Sequence, residues 1–257
     1  MKSKNRIDLV VFTDADNTLW DTNKVFAGAQ LGLLEEIETN LNLHGPDHDR
    51  LEFVRKFDQE IAAKHHAGLR YPPRILCQTL ALGLEGLSPK EAFQKIWSSG
   101  NLDHRLSDAL IQKIEAAYFR RIGEKPGLCT GVREGLKWLT DRHAPALVVT
   151  EGPKKKVRDL ISHYDLDAFV NRVIEGRKEP ALYKRILRLI KKPAKAIMVG
   201  DQLDRDILPA QRAGLVGVYL PGGFNPAWSK SISQTTPDFQ IQSFDQIREV
   251  AAKLVDV

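Results

Sequence analysis

The apolar positions of this chain follow two rhythms, and the change between them divides the sequence. Near the start, Leu9-Val10-Val11-Phe12-Thr13 is an almost unbroken apolar run. A short run of this kind reads as a strand buried on both faces, predicted over residues 7–13. From about residue 24 to residue 122 the apolar residues recur at helical spacing: Leu31, Leu34, Ile37 and Leu41, then Phe53, Phe57 and Ile61, and later Ile111, Ile114 and Tyr118. That period predicts amphipathic helices and no convincing strand. Breaks fall at His44-Gly45-Pro46, Tyr71-Pro72-Pro73, Leu87-Ser88-Pro89 and Ser98-Ser99-Gly100. Ser88-Pro89-Lys90-Glu91 has the form of a helix start, with Ser as cap, Pro at the first helical position and Glu three residues after the Ser.

After Lys125-Pro126-Gly127 the short apolar runs return and alternate with helical stretches. Helices are predicted at about 131–142, 154–164, 180–191, 206–213 and 243–254, and strands at 146–150, 169–174, 196–200 and 216–220. Strands alternating with helices predict right-handed crossovers and a parallel sheet covered on both faces. The first strand has the character of the later ones, so it joins their sheet and the helical block is an insertion after it. The expected fold is α/β, with a core from residues 1–22 and 123–257 and an all-helical domain from residues 23–122. No internal repeat or low-complexity tract is present.

Composition changes this picture little. A chain of 257 residues, 42% hydrophobic and 28% charged, is ordinary for a soluble globular protein. The net charge of +5 favours anionic partners in general. The basic residues are scattered, however, and Lys154-Lys155-Lys156 is their densest run. No aromatic–basic interleaving of the RNA-binding kind accompanies it, which argues against nucleic acid. Cys77 and Cys129 have no CxxC spacing and read as reduced thiols. No stretch approaches the roughly 20 apolar residues that span a bilayer, and the basic Met1–Arg6 segment leads into no signal-peptide core. The expectation is a soluble, cytoplasmic protein with no membrane partner. The oligomeric state is not legible.

The candidate chemistry lies at the predicted strand ends, where open parallel sheets bind ligands. Asp14-Ala15-Asp16-Asn17-Thr18 follows the first strand. Two carboxylates this close repel each other and resist burial, so a cation or a proton transfer is the use that justifies them, with an acidic turn as the plainer reading. Asp14 is placed to attack phosphorus, and Asp16 to protonate the leaving oxygen and then take a proton from water. Thr18 can tie the turn through its hydroxyl. Thr150 ends the second strand before Glu151-Gly152-Pro153 and a basic helix, as part of a phosphate cradle or as a helix cap. In Glu175-Gly176-Arg177-Lys178-Glu179-Pro180, Lys178 stands at the third strand–helix junction and can reach a phosphate. Arg177 is its substitute, and Lys184 falls a turn inside the helix. Gly200-Asp201-Gln202-Leu203-Asp204-Arg205-Asp206 follows the fourth of these strands and brings Asp201 to the rim that carries Asp14. An oxygen-only ligand set at a phosphate site suits Mg²⁺, with Asp206 orienting Asp201 or a metal-bound water and Asp204 as a solvent-facing spare.

These four motifs, in this order, resemble those of the haloacid dehalogenase-like (HAD) hydrolase superfamily. The resemblance covers residues 7–22 and about 123–257; the insertion matches by position and helicity alone. It implies a Rossmann-like, HAD-like core with an inserted helical cap of the C1 type. It implies Asp14 as nucleophile and Asp16 as the general acid/base that also binds metal through its backbone carbonyl. Thr150 and Lys178 match the phosphate-binding residues, and Asp201 the metal carboxylate with Asp206 as its partner. The implied metal set is Asp14, Asp16, Asp201 and Asp206, holding Mg²⁺. Two features depart from the pattern: Pro180 stands one residue later than in the Lys-Pro form of many members, and the insertion is longer than a four-helix cap.

The activity implied is hydrolysis of a small phosphorylated metabolite through a phospho-aspartate. A phosphomutase or phosphotransferase on the same core, and a non-catalytic binding protein of the same fold, are the alternatives. The dehalogenase branch generally lacks the second Asp. A phosphonate-cleaving branch needs a cap lysine, and Lys64, Lys90 and Lys95 read as surface residues. In the helical block, Lys64-His65-His66-Ala67-Gly68-Leu69-Arg70-Tyr71 either offers donors to a polar leaving group or closes a helix with basic residues. Adjacent histidines do not share a helix face, which argues against a metal site there. Trp20 is a candidate for the entrance of the site. The loop Pro221-Gly222-Gly223-Phe224-Asn225-Pro226-Ala227-Trp228 is a candidate for its rim, with Trp228 either stacking on a ligand or, as the favoured reading, packing on the core. The helical domain is expected to close over the site and exclude water.

Overall fold

A computed structural model describes residues 8–99, 106–190, 193–223 and 235–255. The described residues form two compact units, one of residues 8–23, 126–223 and 235–255, the other of residues 24–125. Ile7, Lys191 and the rim-loop residues Phe224 to Trp228 lie outside the described residues. No helix among those described is long and apolar enough to cross a membrane.

The helical unit takes most of α1 (Thr22–Leu41), then α2 (Arg50–Lys64), α3 (Pro73–Leu84), α4 (Pro89–Ser99) and α5 (Asp108–Ile122). The helical spacing read from the sequence becomes its core: Leu34 and Ile37 of α1, Phe57 and Ile61 of α2, Leu76 and Leu80 of α3, Phe93 of α4 and Ile114 of α5 are buried together. Ser88 and Glu91 start α4 as a reciprocal cap, with the Ser88 N–H donating to Glu91 Oε2 at 3.0 Å and the Glu91 N–H to Ser88 Oγ at 3.4 Å. Three polar side chains of the Lys64–Tyr71 segment are paired locally. Lys64 pairs with Glu60, His65 Nδ1 accepts the Ala67 N–H, and the Tyr71 hydroxyl donates to Asp58. Because α2 ends at Lys64 and His65 is extended (φ −74°, ψ 137°), the two histidine rings stack with centroids 4.2 Å apart, a contact closed to neighbours within a helix.

The other unit is built on a six-stranded parallel sheet of β1 (Leu9–Thr13), β2 (Ala146–Thr150), β3 (Arg172–Glu175), β4 (Lys195–Gly200), β5 (Val216–Tyr219) and β6 (Phe239–Gln240), in spatial order β3-β2-β1-β4-β5-β6. Alternation along each strand sorts its side chains between two faces. Leu9, Val11, Val148, Ile197 and Val199 enter one buried cluster, and Val10, Phe12, Leu147, Val149 and Met198 the other. Both faces are covered, which is why these strands read as continuous apolar runs. The helices of this unit are α6 (Val132–Asp141), α7 (Lys154–His163), α8 (Pro180–Leu189), α9 (Leu208–Arg212) and α10 (Ile247–Leu254).

Apart from shifts of one or two residues at element ends, the structure departs from the sequence expectation in a few places. β3 starts at Arg172, because Phe169 and Val170 form a turn on Leu166 and pack on the core from there. An apolar run does not distinguish a strand from a buried turn. β6, with two residues beside β5, is too short to show a period. The helix expected from residue 206 is preceded by a π-helical turn, Leu203–Ile207. The last helix opens with a 3₁₀ turn at Phe244–Gln246 under a Ser243–Gln246 capping box.

Candidate active site

The sheet order makes β1 the switch point: the chain turns to β2 and β3 on one side and to β4, β5 and β6 on the other. Ligand sites in open parallel sheets form at such points, beyond the carboxyl ends of the strands. Asp14 follows β1, Thr150 ends β2 and Asp201 follows β4, so the three leave neighbouring strands on one rim. The Asp14 N–H donates to Val199 O at 2.9 Å, which ties the first motif to the end of β4.

Asp14, Asp201 and Asp206 each present a carboxylate oxygen, and these oxygens lie within 4.8 Å of one another. All three residues are buried. Lys178 reaches into the cluster: its ammonium is paired with Asp14 and, at 2.6 Å, with Asp206 Oδ1, and its side chain is 8% exposed. Arg177, the alternative donor, points to solvent with its side chain 84% exposed and pairs with Glu179. The one-residue displacement of Pro180 is thus accommodated, with Pro180 opening α8 and Lys178 still turned inward.

The electrostatics follow from burial. Desolvation raises Asp14 to a pKa of about 7, although Lys178 pulls the other way, and Asp206 adds repulsion. Desolvation likewise raises Asp201 to about 8, with repulsion from Asp206 and Asp14 added and Lys178 and an Asn17 hydrogen bond opposing. Burial would lower Lys178, but Asp206 and Asp14 outweigh it and hold the ammonium charged.

A cation suits this arrangement. Asp201 Oδ1 is buried and, among the described residues, has no hydrogen-bond partner. A buried carboxylate oxygen without a donor is costly, and a hard divalent ion would satisfy it. The backbone at Gly222 packs so closely that a Cβ there would fall 2.7 Å from Asp201 Oδ2. Asp206 is committed elsewhere: Oδ1 takes Lys178 and Oδ2 accepts the Gln202 N–H at 2.9 Å. The π turn swings its carboxylate inward against Gly200, where a Cβ would lie 2.4 Å from Asp206 Cβ. Asp204 is half-buried and outside the cluster.

The carboxylate of Asp16 is also outside this cluster. Its Oδ1 accepts from Trp20 Nε1 at 3.0 Å and from the Thr22 hydroxyl at 2.7 Å. Trp20 is therefore no entrance residue; it is fully buried and orients Asp16. Thr150 is buried, and its Oγ1 accepts the Gly152 N–H at 3.0 Å, closing a turn before α7. The cap of α7 is Pro153, so Thr150 is not that helix's cap. Thr18 Oγ1, expected to tie the first turn, is buried and has no hydrogen-bond partner among the described residues.

Sequence reasoning gave no role to Asn17, Glu151 or Arg205. Asn17 takes a left-handed backbone (φ 60°) and its Oδ1 accepts the Asn23 N–H at 2.8 Å, while Asn23 Nδ2 donates to Gly222 O at 2.8 Å. Asn at a tight turn after a strand is a signal for such a conformation. Glu151 and Arg205 pair with each other across two loops, and no spacing pattern announces that contact.

Known proteins extend the comparison. The haloacid dehalogenase-like hydrolase family matches residues 7–214. A phosphoglycolate phosphatase of Pseudomonas syringae pv. syringae is 26% identical over 170 residues, covering 62% of this chain and 60% of that protein, so the chain spans about three-fifths of that relative's length. A glyceraldehyde 3-phosphate phosphatase of Pyrococcus furiosus is 27% identical over 221 residues, covering 83% of this chain and 81% of that protein. A crystal structure of a haloacid dehalogenase-like family hydrolase from Xanthomonas campestris aligns with a TM-score of 0.63 at 20% identity, covering 97% of this chain and 96% of that one, a likeness of fold. The family match runs from the first strand through the fourth-strand motif and agrees with the sheet order and the acidic rim: this chain belongs to the haloacid dehalogenase-like hydrolases.

Proposed function

We propose that the protein is a Mg²⁺-dependent phosphatase that hydrolyses a small phosphorylated metabolite through a phospho-aspartate on Asp14. An Asp14 oxygen attacks phosphorus while Asp16 gives its proton to the leaving ester oxygen, and that P–O bond breaks as the acyl phosphate forms. The Trp20 and Thr22 hydrogen bonds both end on Asp16 Oδ1, and in this reading Oδ2 carries the proton. Asp16 then takes a proton from water as the water attacks phosphorus, releasing inorganic phosphate and restoring Asp14. Thr150 and Lys178 hold the phosphate oxygens, and Asp206 holds Lys178. Asp14, Asp201 and the Asp16 backbone carbonyl would hold the ion. When bound, it supplies charge neutralisation for the phosphate and the nucleophile. Residues 23–122 serve as the cap domain in this reading.

The observation that carries the proposal is the convergence of Asp14, Asp201 and Asp206 around Lys178 at the switch point, with one Asp201 oxygen left unsatisfied among the described residues. The names of the relatives direct the first assays to short-chain esters such as 2-phosphoglycolate and glyceraldehyde 3-phosphate, beside p-nitrophenyl phosphate. Phosphate release should require Mg²⁺ and should fall by at least about a thousandfold in Asp14→Asn, with the fold unchanged by circular dichroism. Wild-type turnover in that variant would remove Asp14 as nucleophile.

A further inference from the structure

Outside the groups that meet the phosphate, one carboxylate joins three of the site's loops. Glu151 lies just after β2. Its Oε1 accepts the backbone N–H of Lys178 at 3.0 Å, and its Oε2 is paired with Arg205 in the π turn after β4. The Lys178 loop is anchored at a second point, where the Gly176 N–H donates to Thr150 O at 2.9 Å. Lys178 therefore leaves a backbone held at both ends of a short segment, with its ammonium directed to Asp14 and Asp206.

We infer that Glu151 is a positioning residue: it fixes the backbone from which Lys178 reaches the nucleophile, and Arg205 neutralises the charge this requires. Stability does not account for the arrangement. The Glu151 and Arg205 side chains are 26% and 51% exposed, and exposed ion pairs contribute about 0–1 kcal/mol. A negative charge beside an anion cradle also opposes phosphate binding unless it is balanced. The ion pair balances it, and the second oxygen remains free to accept from Lys178. The two partners thus have separable effects. Loss of the Glu151 acceptor loosens Lys178, whereas loss of Arg205 leaves the acceptor in place and exposes its charge to the substrate.

This inference rests on the phosphatase reading for its kinetic consequence and on geometry alone for the anchor, so two measurements are made on the full chain. The first is hydrogen exchange at the Lys178 amide. Exchange should quicken in Glu151→Ala and stay near wild type in Glu151→Gln, whose amide oxygen still accepts, and in Arg205→Ala. The second is turnover of p-nitrophenyl phosphate with Mg²⁺. Glu151→Ala should lose about tenfold or more in kcat, Glu151→Gln should recover most of it, and Arg205→Ala should chiefly raise KM. Unchanged exchange at Lys178 in Glu151→Ala overturns the anchor. Quickened exchange with wild-type kcat overturns the positioning role. If the wild type releases no phosphate from any ester, the phosphatase reading fails, and the exchange result still decides whether Glu151 holds Lys178.

Discussion

Lys178 is the residue on which the site's charge balance turns. It stands between two buried carboxylates, its side chain 8% exposed, and its charge compensates part of what burial costs Asp14 and Asp206. A conservative apolar replacement would fill the volume and leave the two acids without their cation. Removing one partner from a buried pair costs roughly 3–5 kcal/mol. Lys178→Met should therefore lower the urea midpoint of the metal-free protein by a comparable free energy and also abolish turnover. An unchanged midpoint would mean that the ammonium does not occupy the cluster. Arg177→Met, which removes a solvent-facing guanidinium one residue away, should leave the midpoint in place.

At the level of elements, the turn between α1 and α2 shows how a single acid can hold a connection. Glu38 Oε1 accepts the Gly45 N–H at 2.8 Å and Arg50 Nη1 at 2.9 Å, and Oε2 accepts Arg50 Nη2 at 2.6 Å. Burial opposes ionisation, but the Arg50 and Gly45 hydrogen bonds outweigh it and hold the carboxyl below its ordinary value of 4.5. A folded pKa below the unfolded one gives stability that is complete above pH 4.5 and lost as pH falls through the folded value. Glu38→Gln should cost about 1–3 kcal/mol near neutral pH. Thermal melts of the two proteins should converge as the pH is lowered below 4.5, and a gap that persists in acid would assign the effect to packing instead of charge.

At the scale of the whole molecule, the acidic rim should couple folding to a divalent ion. An ion that binds only the folded state at a hundredfold excess over its Kd adds about 2.7 kcal/mol. For a chain of this size that is a rise in Tm of about 5–10 °C. Mg²⁺ should produce such a rise after EDTA treatment, and Asp201→Asn should remove most of it, because the oxygen without a partner among the described residues belongs to that residue. An equal rise in the variant would place the ion elsewhere.

The amino-acid sequence by itself determined the α/β core, the helical character of the described residues between 24 and 122, and the arrival of acids and a lysine at strand ends. These are local properties: period-two and period-3.6 patterns encode which face is buried, and motifs such as Ser88–Glu91 encode their own caps. Only the tertiary structure decided that Lys178 meets Asp14 across 164 residues of sequence, that a π turn gives Asp206 to Lys178, that Trp20 orients Asp16, and that Glu151 binds two other loops. Those pairings depend on the order of strands in the sheet, and strand order is set by the packing of the whole core, which no local pattern contains.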